Sequence, residues 1–159
     1  VRGDFNGNGQ LDLPDVNMLN SAIAMDGGDL SFDLNADGAV TQTDLNVWVK
    51  DLRRTWIGDA NLNGEFNSGD FVDVFQVGKY EQNVDAGWHE GDWTGDRRFG
   101  SGDFVAAFQD GGFERGPRAA VASVPEPGSG LLLLAVGAWI LSGRKHGMSE
   151  AGRKIRAEK

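Results

Sequence analysis

Four copies of one twelve-residue pattern constrain this chain more than any other feature; they run over residues 4–15, 33–44, 59–70 and 92–103. Each copy places oxygen-bearing side chains at loop positions 1, 3, 5 and 12. These are Asp4, Asn6, Asn8 and Asp15 in the first, and Asp33, Asn35, Asp37 and Asp44 in the second. The third has Asp59, Asn61, Asn63 and Asp70, and the fourth Asp92, Thr94, Asp96 and Asp103. Position 8 is always apolar: Leu11, Val40, Phe66 and Phe99. Alternate oxygens closed by a twelfth-position carboxylate are the ligand spacing of an EF-hand calcium loop. A hard cation takes six to eight oxygens at ~2.3–2.6 Å, so the pattern predicts Ca²⁺ as the cofactor. Position 7 donates its backbone carbonyl, which makes Gln10, Ala39, Glu65 and Arg98 candidate ligands whatever their side chains. Position 9 adds Asp12, Thr41 and Asn67.

Position 6 must turn sharply, which favours glycine. Gly9, Gly38 and Gly64 meet that need, whereas loop four has Arg97 there, Arg98 beside it and Gly100 at position 9. Two cations near a cation site predict that loop four is the weakest. Apolar residues at helical spacing follow every loop: Val16, Leu19 and Ile23; Leu45, Trp48, Val49, Leu52 and Trp56; Phe71, Val74 and Phe75; Phe104, Ala107 and Phe108. No comparable helix precedes loops one or four, so the predicted unit is loop–helix.

The copies group in twos. A shift of 29 residues aligns the first pair through Asp4/Asp33, Asp15/Asp44 and Asn17/Asn46. A shift of 33 aligns the second, through Gly58-Asp59 with Gly91-Asp92, Ser68–Val72 with Ser101–Val105, Phe75-Gln76 with Phe108-Gln109, Gly78 with Gly111 and Glu81 with Glu114. This duplicated loop–helix unit resembles a dockerin type I domain, with Asp instead of Glu at position 12. The resemblance implies a mostly α, calcium-dependent fold of two tandem dockerin-like pairs, residues 1–57 and 58–116. It implies a setting among exported proteins, often polysaccharide-degrading ones, in which dockerins dock onto cohesin scaffolds. Cohesin recognition in that family centres on positions 10 and 11, often Ser-Thr. Here they are Leu13-Pro14, Gln42-Thr43, Ser68-Gly69 and Ser101-Gly102, so a cohesin partner is not expected.

Beyond a linker at 117–123, the chain carries Val124, Pro125, Glu126 and Pro127. An apolar run follows: Leu131, Leu132, Leu133, Leu134, Ala135, Val136, Gly137, Ala138, Trp139, Ile140 and Leu141, then Arg144 and Lys145. The run is shorter than a comfortable span of roughly 17–25 residues. It lacks a polar stripe, and cations after it place the tail in the cytoplasm by the positive-inside rule. Residues 124–146 resemble a PEP-CTERM protein-sorting signal with a short membrane helix, and 147–159 form a basic tail. That resemblance implies processing by exosortase-type sorting machinery in bacteria that make exopolysaccharide. The expected setting is export, with membrane anchoring or release at the cell surface.

Charge supports an exported cation binder. The net charge is −9, but residues 144–159 carry six basic and two acidic side chains, leaving −13 for the remainder. Such a body repels nucleic-acid phosphate and attracts cations. With no cysteine, neither disulfides nor thiolate metal sites exist. The chain begins at Val1 without an apolar leader, as expected of a fragment or processed form. Arg2-Gly3-Asp4 spells an adhesion tripeptide, but Asp4 belongs to loop one; His89 and His146 are isolated. No nucleophile–base pair or phosphate loop is visible, so no enzyme activity is expected. The leading expectation is a calcium-binding, non-catalytic module for surface display or protein docking. The alternative is the docking or anchoring part of a polysaccharide-degrading enzyme whose catalytic domain lies outside this chain.

Overall fold

The computed structural model describes residues 1–26 and 28–119. Expectations for the sorting motif at 124–127, the apolar run at 131–141 and the basic tail lie outside the described residues. Residues Val1–Ala120 form one compact unit.

Four helices follow the four loops: α1 Leu13–Ala24, α2 Gln42–Asn46, α3 Ser68–Val77 and α4 Ser101–Asp110. Among the described residues no strand forms, and the only bridge of strand type joins Phe66 and Phe113. Each helix starts at its loop's end, where the position-12 carboxylate is also the third helical residue and accepts the N–H of position 9. The loop's last ligand position thus doubles as the helix's N-terminal cap. α3 and α4 stop at Gly78 and Gly111, both left-handed, with φ of 74° and 75°.

The second helix departs from expectation. After Asn46 it widens into π-helical turns over Val47–Arg53 and ends at left-handed Arg54. Trp56 therefore falls beyond the helix instead of on its face. It packs under the C-terminal segment, its Nε1 donating to Gly116 O at 2.9 Å while the Arg118 guanidinium lies 4.4 Å from its ring centre. Residues 117–118 of the expected linker thus remain anchored to the unit.

The two pairs of repeats share one core. It contains Val16 and Leu19 of α1, Leu45 of α2, Trp48 and Val49 of the π-helical turns, Phe66 and Val74 of the third repeat, and Trp88, Trp93, Phe99 and Ala107 of the fourth. Among the described residues, Trp48, Trp88 and Trp93 are fully buried. Each satisfies its N–H on a backbone carbonyl, of Gly3, Asp59 and Trp88 respectively. The apolar position-8 residues pack inward, with Val40, Phe66 and Phe99 buried and Leu11 half-buried. Gly58 and Gly91 make room for two of these rings. At φ of 106° and 105°, each lies so close to Phe66 or Phe99 that a Cβ would sit 2.5 or 2.3 Å from the ring. The helical pattern was too generous at Phe75 and Phe108, which remain half exposed at the surface.

Candidate metal centre

The four loops repeat one hydrogen-bond scheme. The position-1 carboxylate accepts backbone N–H groups from positions 4 to 6. Asp4 holds Gly7, Asn8 and Gly9 at 2.8, 3.1 and 2.8 Å. Asp33 holds Ala36 and Gly38, Asp59 holds Asn63 and Gly64, and Asp92 holds Gly95, Asp96 and Arg97. The position-12 carboxylate reaches back from the helix to positions 2 and 3. Asp15 accepts from Phe5 and Asn6, Asp44 from Leu34 and Asn35, Asp70 from Ala60, and Asp103 from Trp93 and Thr94. Between them runs a ladder in which position 3 accepts from position 5, and position 5 from position 7. Asn6, Asn35 and Asn61 make the first step, and Asn8, Asp37, Asn63 and Asp96 the second.

This scheme curls each loop around its position-1 carboxylate, and among the described residues only loop four brings three carboxylates within 4.8 Å of one another. The scheme requires left-handed backbone at position 6, and also at position 4, where Gly7, Ala36, Leu62 and Gly95 have φ of 76°, 62°, 57° and 84°. The sequence signal for position 4 was hidden, because Ala and Leu occupy it in two copies. Arg97 also takes the turn, at φ 63°. Its guanidinium does not face the loop: it pairs with Asp85, which Arg98 also meets, at 3.2 Å. One exposed carboxylate outside the loop thus partners both guanidiniums.

The position-12 carboxylates are buried in all four loops, whereas position 1 is fully buried only in the second pair, at Asp59 and Asp92. Burial raises the carboxyls of Asp59, Asp70 and Asp103 above their ordinary range, opposed by backbone N–H donors. Asp92 is pushed furthest, to about 7, by burial and then by the neighbouring charges of Asp103 and Asp96. Those three carboxylates converge: one oxygen of each lies within 4.8 Å of the others. Oxygens around a single Ca²⁺ lie at most about 5 Å apart, so this trio fits one. Donor chemistry agrees, since every candidate ligand is a carboxylate, amide, hydroxyl or carbonyl oxygen. In loop four, Asp96 Oδ1 and Asp103 Oδ2 each accept one N–H and retain a lone pair for a cation, whereas both oxygens of Asp92 already accept two donors and Asp103 Oδ1 three.

Loop four is also walled by a helix from the first repeat. Asn20 of α1 donates through Nδ2 to Asp92 O at 2.9 Å and to Asp92 Oδ2 at 3.0 Å. Asn17 accepts the N–H of Trp88 at 2.8 Å. Sequence reading missed both partners, which lie more than 70 positions away from α1. Of the residues without a place in the loops, His89 is exposed, and Arg2 of the adhesion-like tripeptide donates to Leu34 O.

Compared with known proteins, residues 123–145 match the family model of the PEP-CTERM protein-sorting motif. No curated protein and no solved structure matches the chain. No family match covers the four repeats. Among the described residues no helix is long and apolar enough to cross a membrane. The motif is the mark of an exported, envelope-sorted protein and is recognised by exosortase-type sorting machinery, so this chain carries a sorting signal at residues 123–145.

Proposed function

We propose that residues 1–119 are a calcium-binding, non-catalytic module of an exported protein, serving surface display or protein docking while the C-terminal signal directs sorting. The observation that carries this reading is the position-1 and position-12 hydrogen-bond scheme shared by all four loops, together with the convergent carboxylates of Asp92, Asp96 and Asp103. A scheme that merely turned the chain would not need three mutually repelling carboxylates at one spot, one of them shifted to about 7. A bound divalent cation supplies the compensating charge. In loops one to three, positions 1, 3, 5, 9 and 12 would offer side chains and position 7 its carbonyl; loop four, with Gly100 at position 9, would offer positions 1, 3, 5 and 12 and the position-7 carbonyl. The ladder of backbone hydrogen bonds holds those oxygens in place before binding.

Loop four joins loops one to three as a binding site in this reading, since Arg97 and Arg98 are held by Asp85. The test is a calcium titration followed by amide NMR, in which Gly9, Gly38, Gly64 and Gly95 report the four loops separately. Four saturable, calcium-dependent shifts support the reading. Shifts absent from every loop at millimolar calcium would remove it.

A further inference from the structure

Outside the loops, the third and fourth repeats clasp one another by an exchange of glutamates. After α3 the chain turns at Gly78 and runs past loop four. There the Glu81 N–H donates to the position-8 carbonyl of Phe99 at 2.8 Å. The Glu81 carboxylate accepts the N–H of Ser101, the first residue of α4, at 2.9 Å. After α4 the chain turns at Gly111 and runs past loop three. The Glu114 N–H donates to Phe66 O at 2.8 Å, and its carboxylate accepts the N–H of Ser68, the first residue of α3, at 3.1 Å. Both glutamates are left-handed, at φ of 53° and 55°. The residue before each adds a ring to the opposite position-8 side chain, Tyr80 at 5.2 Å from Phe99 and Phe113 at 5.3 Å from Phe66.

We propose that Glu81 and Glu114 are crossed positioning residues, each setting the metal loop of the other repeat, so that loops three and four act as one coupled unit. The inference rests on the calcium reading of the loops. Each glutamate spans the stretch from position 8 to position 10, which lies between the position-7 carbonyl and the position-12 carboxylate. It fixes the backbone on either side of position 9 and places a negative charge at a helix N-terminus, where that charge is favourable. Among the described residues, the first pair has no such exchange. The residues equivalent to Glu81 and Glu114 are Asp26 and Thr55, whose N–H groups bond within their own repeats, to Ile23 O and Val49 O. Loops one and two therefore lack this link.

The test uses the full chain with Glu81→Ala, Glu114→Ala and the two Gln variants, which keep an acceptor oxygen. Amide NMR follows calcium binding at Gly64 for loop three and Gly95 for loop four. Glu81→Ala is expected to weaken loop four roughly two- to fivefold, with a smaller effect on loop three; Glu114→Ala does the reverse, and each Gln variant restores most of the loss. Effects confined to the mutated repeat, equal on both loops, or absent would overturn the proposal. Hydrogen exchange gives a readout that needs no calcium: Glu81→Ala should expose the Ser101 amide, and Glu114→Ala the Ser68 amide. If no loop binds calcium, the calcium reading fails. The crossed exchange pattern then still decides whether the clasp exists, and an uncrossed pattern ends it.

Discussion

At the scale of single residues, the loops place carboxylates where burial opposes their ionisation. Burial and the neighbouring carboxylates push Asp92 up to about 7 from its ordinary 3.8, and burial raises Asp59, Asp70 and Asp103 in the same direction. A raised pKa stabilises the fold fully below the unfolded value, and that contribution is lost as pH rises through the folded one. The metal-free protein should therefore lose stability between about pH 4 and pH 7. Calcium needs ionised ligands, so its affinity should rise over the same window. Denaturant melts at several pH values, in chelator and in calcium, check both slopes; a metal-free stability that rises from pH 4 to pH 7 would contradict the burial argument. Gly91 offers a second residue-scale test. Alanine there meets the Phe99 ring at 2.3 Å in a backbone conformation that side chains avoid. Gly91→Ala should cost roughly 2–3 kcal/mol of stability, read by chemical denaturation. Gly102→Ala, where a Cβ meets open space, should cost little.

At the scale of elements, much was legible because each loop and its helix are coded locally. Position 12 follows position 1 within one stretch of chain, and a buried Asp at the third helical residue caps its own helix. Apolar spacing therefore located all four helices, and the position-8 residues were read correctly as inward-facing. What failed was what local periodicity does not encode. The spacing of Leu45, Trp48, Val49 and Leu52 did not show that the helix widens into π-helical turns, nor that it ends before Trp56. The same limit hid Asp85, which pairs with both Arg97 and Arg98. Apolar period says which face of an element is buried and is silent about which element buries it. Contacts of α1 with loop four, made by Asn17 and Asn20, were invisible for that reason. Asn20→Ala leaves the Asp92 carbonyl and carboxylate short of a donor in a buried site. It should cost about 1–3 kcal/mol and weaken calcium binding at loop four selectively, measurable by denaturation and by the Gly95 amide titration.

At the scale of the whole molecule, the two pairs of repeats act as one body because they share one core. The repeat arithmetic, 29 residues within the first pair and 33 within the second, was visible in the sequence. It could not show that Val16 and Leu19 of the first repeat pack into the same cluster as Trp88 and Trp93 of the fourth. Residues 1–119 should consequently unfold in a single transition, with fluorescence of the buried indoles and far-ultraviolet circular dichroism reporting the same midpoint. At its C-terminal end the unit is secured by Arg118, which joins Asp110 at 3.1 Å and covers Trp56, shortly before the sorting motif begins at residue 123. Mass spectrometry of the mature protein from its native envelope should find the chain cut or held near that motif; an intact chain in the soluble cytoplasmic fraction would contradict the sorting role.

The central claim is that four loops form one calcium-dependent body, and circular dichroism of the full chain during a thermal melt, with millimolar calcium or with excess chelator, tests it most directly. Mutually repelling carboxylates stay uncompensated without the ion, so helicity and melting temperature should both fall in chelator and return when calcium is restored. The same helicity and the same melting temperature in both conditions would contradict the account.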